Sequence, residues 1–182
     1  GMVHQHFKLV PSLTVYENIL LGAEITQKKG GMKTPFIDQK EEIKRVEKLI
    51  QENHLELNAT DKIEDISVGG RQRVEILKML YRNVDILILD EPTAVLTPQE
   101  VDELIATLKN LKEQGKTIIV ITHKLREVME LADSITVIKQ GKVVGNVLKK
   151  DTSERELAQM MVGRDVVLTV NNARKQQVES EI

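Results

Sequence analysis

Several residue types are absent or rare in this sequence, and each absence limits what the protein can be. The chain of 182 residues contains no cysteine, and only 2% of its residues are aromatic. Without cysteine, disulfides and cysteine-zinc sites are excluded, and the composition fits a reducing compartment. Hydrophobic residues still make up 41% of the chain. A packed core is therefore expected, built mainly from leucine, isoleucine, valine and methionine.

The sequence also lacks a basic excess and a long apolar run. It has 26 lysines and arginines against 28 aspartates and glutamates, which gives a net charge of -2. Nucleic-acid-binding domains normally carry a basic excess, so we expect no nucleic-acid partner. A membrane-spanning helix needs about 18 or more consecutive apolar residues, and no such run occurs. No transmembrane helix is therefore predicted.

The first half of the chain is dominated by helical patterns. Asp38 and Glu41 form a capping-box-like start, and an apolar stripe follows at helical spacing, which predicts a helix over residues 38–57. A second such pattern predicts a helix over residues 71–82. The polar, glycine-containing residues 27–34 are typical of a loop.

After residue 83 the pattern changes to alternating strands and helices. The short apolar runs at 86–89 and 117–122 are typical of strands buried on both faces. The other predicted elements are a helix that starts at Thr97 and stops at Gly115, a short helix at 124–132, a hairpin over 134–148 that turns at 139–142, and a last helix capped by Ser153 and Glu156. This order predicts an α/β fold with parallel strands covered by helices.

Acidic residues and a histidine follow the two predicted parallel strands. Asp90 and Glu91 end the first strand, and His123 comes directly after the second. In such sheets ligands bind beyond the carboxyl ends of the strands. Phosphoryl transfer uses a carboxylate to hold Mg²⁺, a group that orients the attacking water and a polar group at the γ-phosphate. Aspartate and glutamate also cap turns after strands, so this segment alone leaves both interpretations open.

Four segments together resemble the motifs of ATP-binding cassette (ABC) ATPases, in the order and at the spacing of that family. They are the Q-loop and the segment after it (residues 3–18), the signature motif (66–74), the Walker B strand (85–93) and the switch-histidine loop (121–123). The resemblance runs from residue 2 to about residue 167. It is strongest to importers of monosaccharides and nucleosides, whose ATPase subunits fuse two cassettes in one polypeptide.

The resemblance implies a partial P-loop NTPase (RecA-like) domain with an inserted α-helical subdomain, with ATP and Mg²⁺ as its ligands. It implies that Glu91 is the general base and that His123 contacts the γ-phosphate. It also implies that Asp90 holds Mg²⁺. Gln5 would reach both Mg²⁺ and the attacking water. His4 and His6 flank Gln5, with no acidic neighbour that would complete a separate metal site.

The resemblance further implies that Ser67, Gly69 and Gly70 grip the γ-phosphate of ATP bound to an opposite cassette. Small residues let backbone N–H groups approach a phosphate, and the N-terminus of a helix attracts anions. Without the other three motifs, a turn before a helix would be the preferred interpretation of the two glycines. Val68 and Gly70 replace the family's usual glycine and glutamine, and Thr97 stands where the loop after Walker B usually has aspartate. We expect weakened phosphate contact at this motif.

The largest departure from the family is the absence of a G-x-x-x-x-G-K-[ST] motif. That loop cradles the β- and γ-phosphates of a cassette's own ATP. The sequence begins where the Q-loop begins, which predicts a truncated first cassette. This chain alone is therefore expected to bind ATP poorly and not to turn over.

The predicted organisation has three parts. Residues 1–83 would carry the Q-loop and the helical subdomain, 84–163 the rest of the RecA-like core, and 164–182 a tail. Residues 7–22 resemble the groove that receives a permease's coupling helix, although their apolar side chains could equally be buried. The expected partners are a second cassette and a membrane permease, at the cytoplasmic face of the membrane. The alternatives are a non-catalytic docking module and a cytosolic ABC ATPase without a transport role.

Overall fold

The computed structural model describes residues 1–3, 8–29 and 32–162. The helices in this part of the chain are α1 (Val15–Leu20), α2 (Gln39–Glu52), α3 (Val68–Tyr81), α4 (Pro98–Glu113), α5 (Leu125–Leu131) and α6 (Glu154–Val162). The strands are β1 (Met2–Val3), β2 (Thr26–Lys29), β3 (Met32–Ile37), β4 (Ile86–Asp90), β5 (Thr117–Ile121), β6 (Ser134–Lys139) and β7 (Lys142–Leu148). The combination of helices with a parallel sheet confirms the predicted α/β class.

The chain divides into two compact units, Gly1–Leu131 and Ala132–Ile182. The first unit contains the parallel sheet and helices α1 to α5, and the second contains the hairpin β6–β7 and α6. The predicted functional division near residue 83 falls inside the first unit and stays a prediction.

The parallel sheet has the strand order β1-β4-β5. Ile88 of β4 lies opposite Met2 of β1, and Asp90, the last residue of β4, lies opposite Ile121, the last residue of β5. All neighbouring strands in this sheet are parallel. Their carboxyl ends therefore meet at one edge, where the structure places the segments that follow Asp90 and Ile121.

The prediction that β4 and β5 are buried on both faces is wrong. In β4, Leu87 and Leu89 are fully buried, whereas Ile86 is 50% exposed. In β5, Ile119 and Ile121 are 47% and 48% exposed. One face of the sheet packs against helices, and within the described residues the other face is largely uncovered. A short apolar run predicts a strand but does not reveal how many of its faces are covered.

The buried face of the sheet forms what we call the sheet cluster. Its buried members are Val3, Ile76, Met79, Leu87, Leu89, Leu104, Leu108 and Leu111. Helix α4 supplies the last three of these from one side of its surface, as its apolar spacing predicts. A complete capping box starts this helix, with Thr97 as N-cap and Glu100 as its partner, and Gly115 follows its end at φ 87°. Both predicted boundaries of α4 are confirmed.

Helices α1, α2 and α3 enclose a separate core, the helical cluster. Its buried members are Val15, Tyr16, Ile19, Leu20, Val46, Ile50, Leu55, Ala59, Ile63, Val74 and Leu77. Because Val15, Ile19 and Leu20 are buried here, they do not supply docking surface, and the second interpretation of residues 7–22 is confirmed for them. Val10 is 38% exposed and stays available.

Two helices in this region have boundaries that differ from prediction. Helix α2 ends at Glu52 rather than at 57, because His54 adopts a left-handed conformation (φ 52°) and Leu55 turns back to donate its N–H to Ile50. Helix α3 begins at Val68 rather than at 71, because Ser67 serves as its N-cap. The two glycines that follow are therefore helical residues.

The predicted loop at residues 27–34 is wrong, since β2 and β3 pair there as an antiparallel hairpin. Thr26 lies opposite Ile37, and Lys29 opposite Met32. Polar composition with adjacent glycines suits a loop and a hairpin equally, so composition was a weak guide. The buried carboxylate of Glu42 accepts a hydrogen bond from the N–H of Ile25 at 2.9 Å and fixes the start of the hairpin to α2.

The second unit matches its prediction. Strands β6 and β7 pair through a tight turn in which Gln140 and Gly141 both have positive φ. Ser153 accepts a hydrogen bond from the N–H of Glu156 at the start of α6, and Leu157 of this helix is buried. The predicted hairpin and the predicted helix cap are both confirmed.

Candidate functional site

The segment after β4 carries the acidic residues singled out in the sequence. Asp90 ends the strand and is partly buried, and Glu91 follows in a left-handed conformation with φ 45°. The N–H of Glu91 donates to the carbonyl oxygen of Ile121 at 2.8 Å, which fixes its backbone to the end of β5. A positive φ is unusual for a residue with a side chain and costs about 1–3 kcal/mol. The surrounding contacts therefore hold Glu91 in place against its own backbone preference.

Glu91 and His123 meet at the carboxyl edge of the sheet. His123 Nδ1 lies 3.0 Å from Glu91 Oε1. The side chain of His123 is 70% exposed and that of Glu91 is 28% exposed. The structure thus brings together the histidine and one of the carboxylates that the sequence places at this edge, while their roles in catalysis stay predictions.

The second oxygen of Glu91 is a buried acceptor. No hydrogen bond from the described residues reaches this Oε2. The side chain of Asp90, one residue earlier, makes no hydrogen bond or ion pair with the described residues. A buried, unpaired carboxylate oxygen is unfavourable unless something donates to it or coordinates it. Carboxylate oxygens beside a water-accessible edge are the ligands that Mg²⁺ and its bound water prefer, so this residue set fits Mg²⁺.

The predicted phosphate-binding residues lie at the N-terminus of α3. Ser67 Oγ accepts a hydrogen bond from the N–H of Gly70 at 3.1 Å. The N–H of Gly69 donates to Glu100 Oε1 at 3.3 Å. A Cβ at position 69 would lie 2.7 Å from that same oxygen, so the close approach of Glu100 requires a glycine there. The structure keeps the three residues together, about one helical turn in extent.

Glu100 is a neighbour of this helix end that the sequence did not reveal. Its carboxylate completes the capping box of α4 and also reaches α3. Hydrogen bonds lower its pKa, first from the backbone of Thr97 and then from Ser67 and others. An anion therefore already lies beside the N-terminus of α3. The capping pattern predicted the local bond of Glu100, but nothing local predicted a contact with a residue 31 positions away.

Helix α3 is joined to the site by further polar contacts that were also missed. Gln72 Nε2 donates to the carbonyl oxygen of Pro92 at 2.6 Å, in a buried position. Arg73 forms an ion pair with Glu103 of α4. The first contact fixes the predicted signature helix to the segment that carries Glu91, and the second fixes it to α4.

A buried network also links the segments after β4 and β5. Thr93 Oγ1 donates to Glu127 Oε2 at 2.7 Å, and Lys124 Nζ donates to the carbonyl oxygen of Thr93 at 2.8 Å. Thr93 ends the predicted Walker B segment, but the sequence suggested no role for its side chain, nor for Glu127 or Lys124. Glu127 looks like an ordinary charged residue of a short helix until the fold buries it.

Three further features bear on the predicted site: the position of Gln5, metal-binding clusters and membrane-spanning helices. Gln5, predicted to reach Mg²⁺ and water, lies outside the described residues. In the part of the chain that the structure describes, no three histidine or acidic side chains form a cluster that could hold a metal ion. Over the same residues, none of the helices has the length and apolar character needed to cross a bilayer.

Comparison of the sequence with models of protein families identifies the family to which the chain belongs. The sequence profile of the family described as "ABC transporter" matches residues 1–94, which is more than half of the chain. The chain belongs to the ABC transporter family. The parallel sheet with acidic residues at its carboxyl edge is therefore part of an ABC ATPase domain.

Within this family, the chain is similar to ATP-binding proteins described as serving import or transport. The nucleoside import ATP-binding protein NupA of Lactococcus lactis subsp. cremoris is 51% identical over 97% of this chain. A putative carbohydrate transport ATP-binding protein of Mycoplasma pneumoniae is 44% identical over 96% of it. The chain spans only 34% and 31% of the lengths of these two relatives.

A solved structure shows the same fold. CbiO1 from Clostridium perfringens, described as part of the ABC transporter complex CbiONQ, matches with a TM-score of 0.65 and 33% sequence identity. The match covers 83% of this chain and 57% of CbiO1. The fold class predicted from sequence, part of an ABC ATPase domain, is confirmed.

Proposed function

We propose that the protein to which this chain contributes hydrolyses ATP and thereby drives an importer of a simple sugar or a nucleoside. The observation that carries this proposal is the Glu91–His123 pair. It lies at the carboxyl edge of a parallel sheet, and one buried oxygen of Glu91 has no partner among the described residues. Such an edge is where nucleotide-hydrolysing folds place their reacting groups.

Each residue of the pair has a distinct task. Glu91 accepts a proton from the attacking water, for which its unpaired Oε2 is suited. His123, held to the other oxygen of Glu91 and exposed to solvent, contacts the γ-phosphate. Asp90, together with Gln5, holds Mg²⁺. When bound, Mg²⁺ neutralises negative charge on the phosphates.

Ser67, Gly69 and Gly70 bind the γ-phosphate of ATP held by a second cassette. The first turn of α3 supplies backbone N–H groups and the positive end of the helix dipole. Glu100 already accepts the hydrogen bond of Gly69 in this structure. A phosphate that binds there takes over this donor from Glu100, so phosphate binding in trans is coupled to the start of α4.

The transport role is supported by the relatives, which are described as nucleoside and carbohydrate import or transport ATP-binding proteins. By this proposal, the partner is a membrane permease and the protein lies peripherally at the cytoplasmic face of the membrane. Residues 1–83 face the permease, residues 84–163 complete the nucleotide core, and residues 164–182 form a tail. The exposed Val10 is one side chain available for the permease contact.

Replacement of Glu91 by glutamine tests the proposal most directly. In the full-length subunit with its permease, Glu91→Gln should lower ATP turnover by a factor of about 10² or more, because an amide does not accept the proton. ATP binding should persist, since glutamine preserves the size of the side chain. Turnover would be measured by phosphate release, and binding by equilibrium titration with a fluorescent ATP analogue.

Glu47→Gln is the matched control, because Glu47 is an exposed glutamate of α2. It should leave turnover unchanged. A near-normal rate in Glu91→Gln would refute Glu91 as the base. Turnover that is insensitive to the permease, and no association with membranes, would instead favour a cytosolic ATPase. Permease binding without ATP turnover would favour a docking module.

A further inference from the structure

We propose that Thr93 and Glu127 are positioning residues that hold His123 against Glu91, an inference that rests on the proposed ATP hydrolysis. Thr93 is the last residue of the Walker B segment, and Glu127 lies outside all four motif segments. Their hydrogen bond joins the segment after β4 to helix α5, which follows His123.

The bond between them is buried and charge-assisted. Thr93 is 2% exposed and Glu127 is 7% exposed. Thr93 Oγ1 donates to Glu127 Oε2 at 2.7 Å, and hydrogen bonds to a carboxylate are stronger than those between neutral groups. A buried carboxylate needs such partners, because without them its burial is unfavourable. The bond therefore fixes the distance between the two segments.

Lys124 adds a second connection between the same segments. Its Nζ donates to the carbonyl oxygen of Thr93 at 2.8 Å and lies 3.7 Å from Glu127 Oε1. Its backbone N–H donates to Thr122 Oγ1 at 3.1 Å. Lys124 directly follows His123. Its side-chain and backbone contacts therefore hold the main chain next to the histidine.

The position of the His123 ring depends on this backbone. Across the described residues, its one polar contact is Glu91 Oε1 at 3.0 Å. A single contact holds an exposed side chain only weakly, because ordering the side chain costs conformational entropy. Thr93 lies two residues after Glu91, and Lys124 lies one residue after His123. The Thr93–Glu127–Lys124 network thus sets how the pair meets.

Removal of the Thr93 hydroxyl tests this inference. In the full-length subunit, Thr93→Val should lower kcat for ATP about 10-fold to 10²-fold and leave KM within about threefold, because misplaced reacting groups slow chemistry more than binding. Thr93→Ser restores the hydroxyl and should recover kcat to within about threefold of the original. Glu127→Gln keeps an acceptor but loses the ion pair with Lys124, so its kcat should be intermediate.

Thr107→Val is the matched control, because Thr107 makes its hydroxyl contact within α4, to the carbonyl oxygen of Glu103. It should not change kcat. If Thr93→Val is as fast as Thr107→Val, or if Thr93→Ser is as slow as Thr93→Val, the positioning role is refuted. A Glu127→Gln variant with the original kcat would remove Glu127 from the proposal.

A second measurement separates this inference from the proposed function. The imidazole signals of His123, recorded by NMR on ¹⁵N-histidine-labelled protein and assigned with His123→Gln, should shift in Thr93→Val and not in Thr107→Val. If the unsubstituted protein does not hydrolyse ATP, the proposed function fails, and the NMR result alone decides whether the network holds the histidine. Unchanged imidazole signals in Thr93→Val would overturn the inference.

Discussion

The helical cluster and the sheet cluster bury their apolar side chains in different ways. In the helical cluster, α1, α2 and α3 surround a common centre, and α2 turns Val46 and Ile50 inward with little apolar surface left outside. In the sheet, alternate residues of each strand face opposite sides, so Leu87 and Leu89 are buried while Ile86 and Ile119 stay about half exposed. The three helices bury apolar residues against one another, whereas the sheet, in the part of the chain that the structure describes, buries apolar residues on only one of its faces.

Helix α3 belongs to both regions. Val74 and Leu77 are buried in the helical cluster, and Ile76 and Met79 in the sheet cluster. This helix is therefore apolar on two sides, and its N-terminus carries the predicted phosphate-binding residues. We expect a change in one core to be transmitted to the other through this helix, because close-packed interiors resist local deformation.

The largest effects should come from residues buried in either cluster. Leu77→Ala in the helical cluster and Leu89→Ala in the sheet cluster should each lower the free energy of unfolding by ~2–5 kcal/mol. Ile119→Ala, on the exposed face, should cost about 1 kcal/mol because its side chain is only half removed from water. Urea unfolding followed by circular dichroism would measure these differences.

The two tyrosines make this comparison sharper. Tyr16 is buried in the helical cluster and Tyr81 packs against it, so tyrosine fluorescence reports on that region while circular dichroism reports on the whole chain. If the urea midpoints measured by fluorescence and by circular dichroism coincide, the two cores unfold together. If Ile119→Ala cost as much as Leu89→Ala, the second face of the sheet would be buried in the folded protein, and the contrast between the regions would fail.

Smaller and equal effects are expected from the helix caps of the two regions. Thr14 of α1 and Thr97 of α4 each form a complete capping box, with Glu17 and Glu100 respectively. Thr14→Ala and Thr97→Ala should each cost about 1 kcal/mol, since capping is local and does not depend on the core behind the helix. Thr→Ser at each position keeps the hydroxyl and serves as the control. A several-fold difference between the two alanine variants would show that capping depends on the surrounding core.

The smallest effect should be the pH dependence of stability that Glu100 contributes. The pKa of Glu100 lies below its ordinary value of 4.5, mainly because the backbone of Thr97 donates to the carboxylate. A depressed pKa in the folded state stabilises the protein above that ordinary value, and this contribution is lost as the pH falls through the folded pKa.

Glu100→Gln should therefore be less stable than the original at about pH 7, and the gap should narrow at about pH 3. Urea unfolding at both pH values measures the gap. A gap that is the same at both values would contradict the stabilising role of the Glu100 charge.

The sequence predicted best where the signal was local. Thr97, Pro98 and Glu100 predicted the start of α4, and the apolar spacing after them predicted its buried face, because capping and amphipathicity act within a few residues. Gln140 and Gly141 likewise mark their turn directly. The meeting of Glu91 and His123 followed from strand order alone, since parallel strands end at a common edge.

Other features depended on partners distant in the sequence. Thr93 and Glu127 are 34 residues apart, and nothing near either residue predicts their hydrogen bond. The contact between Gly69 and Glu100 spans 31 residues and is equally invisible in local patterns. The exposure of Ile119 was missed for a related reason, because a run of apolar residues carries no information about what covers each face.

The backbone conformation and the side-chain contact of Glu91 favour different residue types at position 91. The φ of 45° suits glycine, which adopts it without strain, whereas the contact with His123 needs a carboxylate. A glycine here would relax the backbone and remove the acid in the same substitution. Selection for a more stable fold and selection for the acidic side chain therefore act in opposite directions at residue 91. Under conditions that reward stability alone, the acid at this position would be open to loss.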